Sequence, residues 1–111
     1  MGTRLPKDHD HRITLDEAAR LTRGQRREKD VARRGMERPY ALRREALDGI
    51  LSQKGCVGIR VYPAVHGDGS PTVVMVGIDE DGNDMVQGLL IQNVMDCPPF
   101  CPDSNQLNSD T

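Results

Sequence analysis

Aromatic residues are almost missing from this chain of 111 residues, which has no Trp, one Phe and two Tyr. Any core is therefore aliphatic. Leu, Ile, Val and Phe supply 24 residues, about 22% of the chain, just above the roughly 20% typical of disordered sequences. That allows one small domain. No apolar run reaches the roughly 18 residues that a membrane-spanning helix needs. The opening stretch, MGTRLPKDHDHR, is polar and lacks the apolar segment of a secretory signal. The expected place is thus the cytoplasm, where thiols stay reduced. Only three Cys are present, an odd number that does not suit a pure disulfide framework. P-loop, Rossmann, nucleophile-elbow and zinc-protease patterns are all missing, so no catalytic set is expected.

Basic charge is nearly missing from the second half. Residues 55–111 carry one basic residue, Arg60, against 8 acids, while residues 1–54 carry 14 Lys and Arg against 9 acids. The net charge of −2 conceals this split. The densest stretch runs from Arg20 to Arg44, with ten basic residues against Glu28, Asp30 and Glu37. It reads as a solvated helical face or as a surface for docking on an acidic protein, with Arg26, Arg27, Arg33 and Arg34 as the binding residues. Attraction between the two halves, within one fold or between copies as self-association, is the other reading of the same split. Nucleic acid fits less well, because the chain as a whole is acidic and only Tyr40 is at hand to stack on a base.

Residues 1–12 read as a disordered arm. Thr14 is a good N-cap, with Glu17 at the capping-box spacing and Asp16 in the first turn. The helix it opens extends toward Gly35, with only a thin apolar stripe. A second helix is expected from Tyr40 to about Gln53, with Pro39 at its first position and Lys54-Gly55 as its stop. Leu42, Ala46 and Ile50 mark its apolar face, with Leu47 and Leu51 beside them.

Val57, Ile59 and Val61 alternate with Gly58, Arg60 and Tyr62, as in a strand with one buried face. Pro63 ends that strand or marks an edge. Thr72 to Ile78 reads as a central strand between the turn clusters 67–71 and 79–84. Asp79-x-Asp81-x-Asn83 copies the start of a calcium loop, but Asp84 and Leu90 stand where that loop needs Gly and Glu, so it reads as a turn. Residues 85–94 read equally as strand or helical turn. The tail 103–111 reads as flexible.

The blocks Ile13-Thr14-Leu15-Asp16-Glu17-Ala18, Gly55-Cys56-Val57-Gly58-Ile59-Arg60-Val61-Tyr62, Val74-Met75-Val76-Gly77-Ile78-Asp79, Asp81-Gly82-Asn83-Asp84-Met85 and Cys97-Pro98-Pro99-Phe100-Cys101-Pro102, with Asn105 and Leu107-Asn108 behind them, carry a likeness to known sequences. On these residues the chain resembles a family of small uncharacterised bacterial proteins with a Cys-Pro-Pro-x-Cys ending. The resemblance implies a single compact domain over roughly residues 13–108 and brings no function with it.

Cys97-Pro-Pro-Phe-Cys101 is the sharpest motif. Its C-x3-C spacing suits a zinc site, which Cys56 and His66 would complete as a Cys3His set. It also admits a thiol-redox pair, although the spacing is not that of the thioredoxin motif. Prolines following Cys97, Pro98 and Cys101 bias those three residues to extended backbone, which works against a local bridge, although a turn with Pro99 at its second position would allow one. The simplest reading is a stiff bend with reduced thiols, clasping the C-terminal segment with Phe100 in the core.

The expected architecture is α+β: two N-terminal helices packed on a small antiparallel sheet of about three strands, forming one domain over residues 13–102. Leu42, Ala46, Leu47, Ile50 and Leu51 would meet Val57, Ile59, Val61, Val74, Val76 and Ile78 in the core. The expected function is a non-catalytic interaction module, an adaptor or accessory subunit. A small zinc-binding or thiol-redox protein is the alternative, and a nucleic-acid binder the third reading.

Overall fold

The computed structural model describes residues 2–27 and 39–109. In chain order it has helix α1 (Leu15–Arg26), strand β1 (Tyr40–Ala41), helix α2 (Arg44–Leu51), and strands β2 (Gly58–Val65), β3 (Pro71–Ile78), β4 (Leu90–Ile91) and β5 (Met95–Asp96). The class is α+β, with two helices among the described residues. The strands form two sheets, β1–β5 and β2–β3–β4, in place of the single sheet of about three strands that the sequence predicts. The chain clusters into two compact units. One joins Met1–Asp8 to Tyr40–Met95, and the other joins His9–Pro39 to Asp96–Thr111.

In the first unit, α2 lies against β2 and β3. It begins four residues later than Tyr40, where the sequence places its start. Tyr40 and Ala41 are spent on β1, the Tyr40 hydroxyl donates to the Pro71 carbonyl at 3.1 Å, and Arg43 is still extended at ψ 153°. The apolar periodicity nonetheless identifies the inner face, because Ile50 is fully buried while Leu51 is 49% exposed. Gln53 then ties the helix end to the sheet. Its side-chain Nε2 donates to the Ile50 carbonyl at 2.9 Å, and its Oε1 accepts from the Leu89 N–H at 2.8 Å. Residues 85–94 thereby resolve as a turn and the short strand β4, which pairs with Met75 and Val76.

β2 and β3 are antiparallel, with Gly58 opposite Ile78 and Val65 opposite Pro71. The His66 N–H donates to the Ser70 carbonyl at 2.8 Å, which sets the parity of the ladder. Even-numbered β2 residues turn their N–H and C=O toward β3, and odd-numbered ones turn them outward. Pro63 is odd, so the N–H it lacks is one that β3 never needed. The strand therefore passes through Pro63 as an edge and does not end there.

Side chains alternate between faces at the same period. Val76 and Ile78 are buried on the even face, with Thr72 beside them. Ile59 and Val61 lie on the odd face, opposite Gly77 and Met75. The β2 and β3 sets that the sequence assigns to one core thus sit on opposite sides of the sheet, and Val57 and Val61 are about half exposed. The alternation in β2 is real but marks the open face.

Residues 2–8 run beside the 79–83 turn. Arg4 Nη2 lies 3.3 Å from Asp81 Oδ1, and Leu5 stands beside Gly58 and Ile78. The Asp79 carboxylate shapes the turn by accepting from the Asp81 and Asn83 N–H groups, each at 2.9 Å. Gly82 has φ +85°, and the Thr3 backbone occupies the place where a Cβ would stand. Only glycine meets both conditions.

This burial pattern sets an order of stabilities. Ile50→Ala should cost about 2–5 kcal/mol in urea denaturation, and Val61→Ala should cost under about 1 kcal/mol. Equal losses at the two positions would mean that the buried face is wrongly assigned.

Candidate functional site

The second unit is built on α1. Thr14 caps it as expected, its Oγ1 accepting from the Glu17 N–H at 3.1 Å, with Asp16 and Glu17 in the first turn and Arg23 and Arg26 in the last. Both charge placements favour the helix dipole. Thr22, Gln25 and Arg26 fall at i, i+3 and i+4, so they share one face. That face lines a cavity of about 850 Å³, together with Pro39 and residues of the C-terminal segment, among them Cys97, Cys101, Asn105 and Leu107. Among the described residues no carboxylate lines it.

Side-chain amides shape the far wall. Asn105 Nδ2 and Asn108 Nδ2 both donate to the Asp103 carbonyl, at 3.2 and 3.0 Å. Asn105 Oδ1 accepts from the Leu107 N–H at 2.7 Å, and Asn108 Oδ1 accepts from the Asn105 N–H at 2.8 Å. Arg26 Nη1 donates to the Leu107 carbonyl at 2.7 Å, which fastens this segment to α1. Residues 103–109, predicted as a flexible tail, carry this network because Asn and Ser side chains replace the backbone partners that a helix or strand would give.

Cys97 and Cys101 close the near wall as a disulfide, with Cα atoms 4.7 Å apart. The sequence predicts reduced thiols here. The chain instead bends tightly enough to join them, with Phe100 N–H donating to the Asp96 carbonyl at 3.1 Å and Cys101 N–H to the Pro99 carbonyl at 3.0 Å. The Cys97–Pro98 and Pro98–Pro99 peptide bonds are both cis. Phe100 is 58% exposed, so it does not anchor the bend in a core.

Of the other predicted site residues, Arg26 lines this cavity, whereas Cys56 and His66 belong to the first unit. Cys56, in the first unit, is a free, half-buried thiol whose Sγ donates to the Gly58 carbonyl at 3.2 Å. His66 is exposed in the β2–β3 turn. Among the described residues no three His, Cys, Asp or Glu side chains gather in a way that could hold a metal. Of the four arginines assigned to a partner, Arg26 and Arg27 close α1, and Arg26 is engaged with Leu107. Arg33 and Arg34 lie outside the described residues.

A second polar cluster, in the first unit, went unread in the sequence. Arg60 Nη1 reaches Asp84 Oδ1 at 2.5 Å, and the Tyr62 hydroxyl donates to Asp84 Oδ2. The signal was there: Arg60 and Tyr62 are two apart on one strand and so share a face, and Asp84 ends the turn that follows β3, where it bridges back to Ile78. The cluster ties that turn to β2. The hydrogen bond from Tyr62, then that from Arg60, holds the Asp84 carboxyl below its ordinary range, although partial burial opposes this. The same bond raises the Tyr62 hydroxyl.

Compared with known proteins, the chain matches no family model, no curated protein and no solved structure.

The Asp84 cluster predicts a pH dependence. A carboxyl depressed in the folded state contributes stability above its unfolded pKa, and that contribution is lost as pH falls through the folded value. Thermal unfolding of the wild type should therefore weaken below about pH 4 more steeply than that of Asp84→Asn. Parallel melting curves from pH 6 to pH 3 would show instead that the cluster contributes nothing.

Proposed function

We propose that this protein is a non-catalytic interaction module that docks an acidic segment of a partner protein through its Arg-dense stretch. The observation that carries this reading is the sign of the charge around α1 and the cavity beside it. After Glu17, α1 holds Arg20, Arg23 and Arg26 and no acid, Arg27 follows directly, and among the described residues the cavity wall has a guanidinium and neutral amides but no carboxylate. Such a surface offers charge-assisted hydrogen bonds to carboxylates and repels no acidic chain. An adaptor or accessory subunit working in the cytoplasm is the role that suits it.

The test is titration of the full chain with a labelled Glu/Asp-rich peptide and, separately, with duplex DNA, read by fluorescence anisotropy at physiological salt. Reversing Arg26, Arg27, Arg33 and Arg34 to Glu should abolish peptide binding and leave the circular dichroism of the fold unchanged. Tight DNA binding that falls steeply with salt would replace this reading with a nucleic-acid one.

The Cys97–Cys101 bond favours a second reading, a thiol-redox protein. Thiol–disulfide exchange with a dithiol partner would open the bond to two thiols and leave the partner oxidised. Alkylation and mass spectrometry in glutathione buffers of graded potential should then give a two-electron titration within the cytoplasmic range. A bond that stays closed throughout that range is purely structural. Zinc on Cys97 and Cys101 belongs to the reduced state alone, because a disulfide offers no thiolate.

A further inference from the structure

The cavity beside α1 is lined wholly by residues of the second unit, and the chain from Cys101 to Ser109 supplies the larger part of its wall. That segment belongs to no helix or strand. Its own hydrogen bonds are local. The Asn105 N–H donates to Asn108 Oδ1, the Leu107 N–H donates to Asn105 Oδ1, and the Ser109 N–H and Oγ donate to the Asn105 carbonyl at 3.0 and 2.9 Å. Such bonds give the segment a shape without fixing where it stands. Its place is set near its start by the disulfide from Cys101 to Cys97, whose N–H donates to the Pro39 carbonyl at 3.3 Å. Near its end, Arg26 Nη1 holds the Leu107 carbonyl. The covalent tie is also the accessible one, since Cys101 is exposed and Cys97 only half-buried.

We propose that the Cys97–Cys101 bond is a redox switch on this cavity wall: closed, it holds the C-terminal segment against α1, and open, it releases the segment and the docking surface with it. The inference rests on the acidic-partner reading for what docks, and on the bonds of the second unit for what moves. The step balances as an exchange with a dithiol. The S–S bond of the chain breaks, Cys97 and Cys101 each take up a proton and together two electrons, and the dithiol closes to its own disulfide. Oxidised glutathione drives the reverse step and leaves as two thiols. Opening the bond returns to residues 97–101 the chain entropy that the small ring withheld, enough to shift an ordering equilibrium about tenfold. The bond from Arg26 to Leu107 and the local amide bonds are each weaker than that restraint. Release takes from Arg26 the Leu107 carbonyl that positions its guanidinium at the wall, so affinity for a carboxylate-rich segment falls with the order of the wall.

Two measurements on the full chain test it, each after treatment with oxidised glutathione and again after dithiothreitol. Hydrogen–deuterium exchange reads the segment directly, and fluorescence anisotropy with a labelled Glu/Asp-rich peptide reads docking. Reduction should speed exchange across residues 101–109 about tenfold, leave the β2–β3 ladder unchanged, and weaken peptide binding about tenfold. Cys97→Ser with Cys101→Ser should behave as the reduced chain in both buffers. Cys56→Ser should switch as the wild type does, which assigns the effect to the 97–101 pair. Exchange across 101–109 that reduction leaves unchanged overturns the proposal, whatever the peptide does. Faster exchange with undiminished peptide binding overturns it as well, because docking then needs no closed wall. A segment that loosens on reduction in a chain that binds the peptide in neither state upholds the switch and refutes the acidic partner, so the two readings fail separately.

Discussion

The ladder between β2 and β3 is the constraint on which the first unit depends. Its parity decides, for every residue from Gly58 to Ile78, which side its backbone groups face and which surface its side chain joins. A slip of one residue would turn Val76 and Ile78 out of the core and would ask Pro63 for an N–H it does not have. The same parity puts Arg60 and Tyr62 on one face, where Asp84 can meet both. It also gathers the odd-numbered apolar residues on the surface that α2 leaves partly open. Core, polar clamp and open face are therefore consequences of one register.

A weak core accompanies that register. Among the described residues, the buried apolar side chains are Ala19, Ile50, Val76 and Ile78. With so little burial, local polar devices carry more of the organisation than they would in a larger domain. Gln53 bridges α2 to β4, Asp79 folds its own turn, Arg4 reaches Asp81, and the Asn105 and Asn108 amides shape the C-terminal segment. Each net hydrogen bond is worth only about 1 kcal/mol, so these devices specify geometry more than they add stability.

How far the fold was legible follows from the range of the forces involved. Helix capping by Thr14, the inner position of Ile50, β3 and the two turn clusters were all readable, because each rests on neighbours within a few residues. The start of α2 was not readable, since Tyr40 has a good helical context and is drawn into β1 and to the Pro71 carbonyl by partners distant in sequence. The core face of β2 was misread for a related reason. Alternation reports that a strand has two faces, but which one is buried depends on the register against β3. Of the candidate site, the cysteine pair was visible as a motif and its bonding was not. Proline statistics describe each residue alone, whereas the bend is closed by the backbone bonds of Phe100 and Cys101.

The cysteine ending also links two readings that the sequence keeps separate. A metal site and a closed cavity wall make opposite demands on the same two sulfur atoms. Zinc needs thiolates on Cys97 and Cys101, and the disulfide that lines the cavity leaves neither. Cys56 and His66 belong to the other unit, so closing the bond asks nothing of them, whereas a Cys3His site would need all four residues together. The bonded state is thus the one that the C-terminal segment can reach with its own residues. Any metal-binding role would first require two electrons from a reductant, which makes the oxidation state of this one pair the variable that selects between the readings.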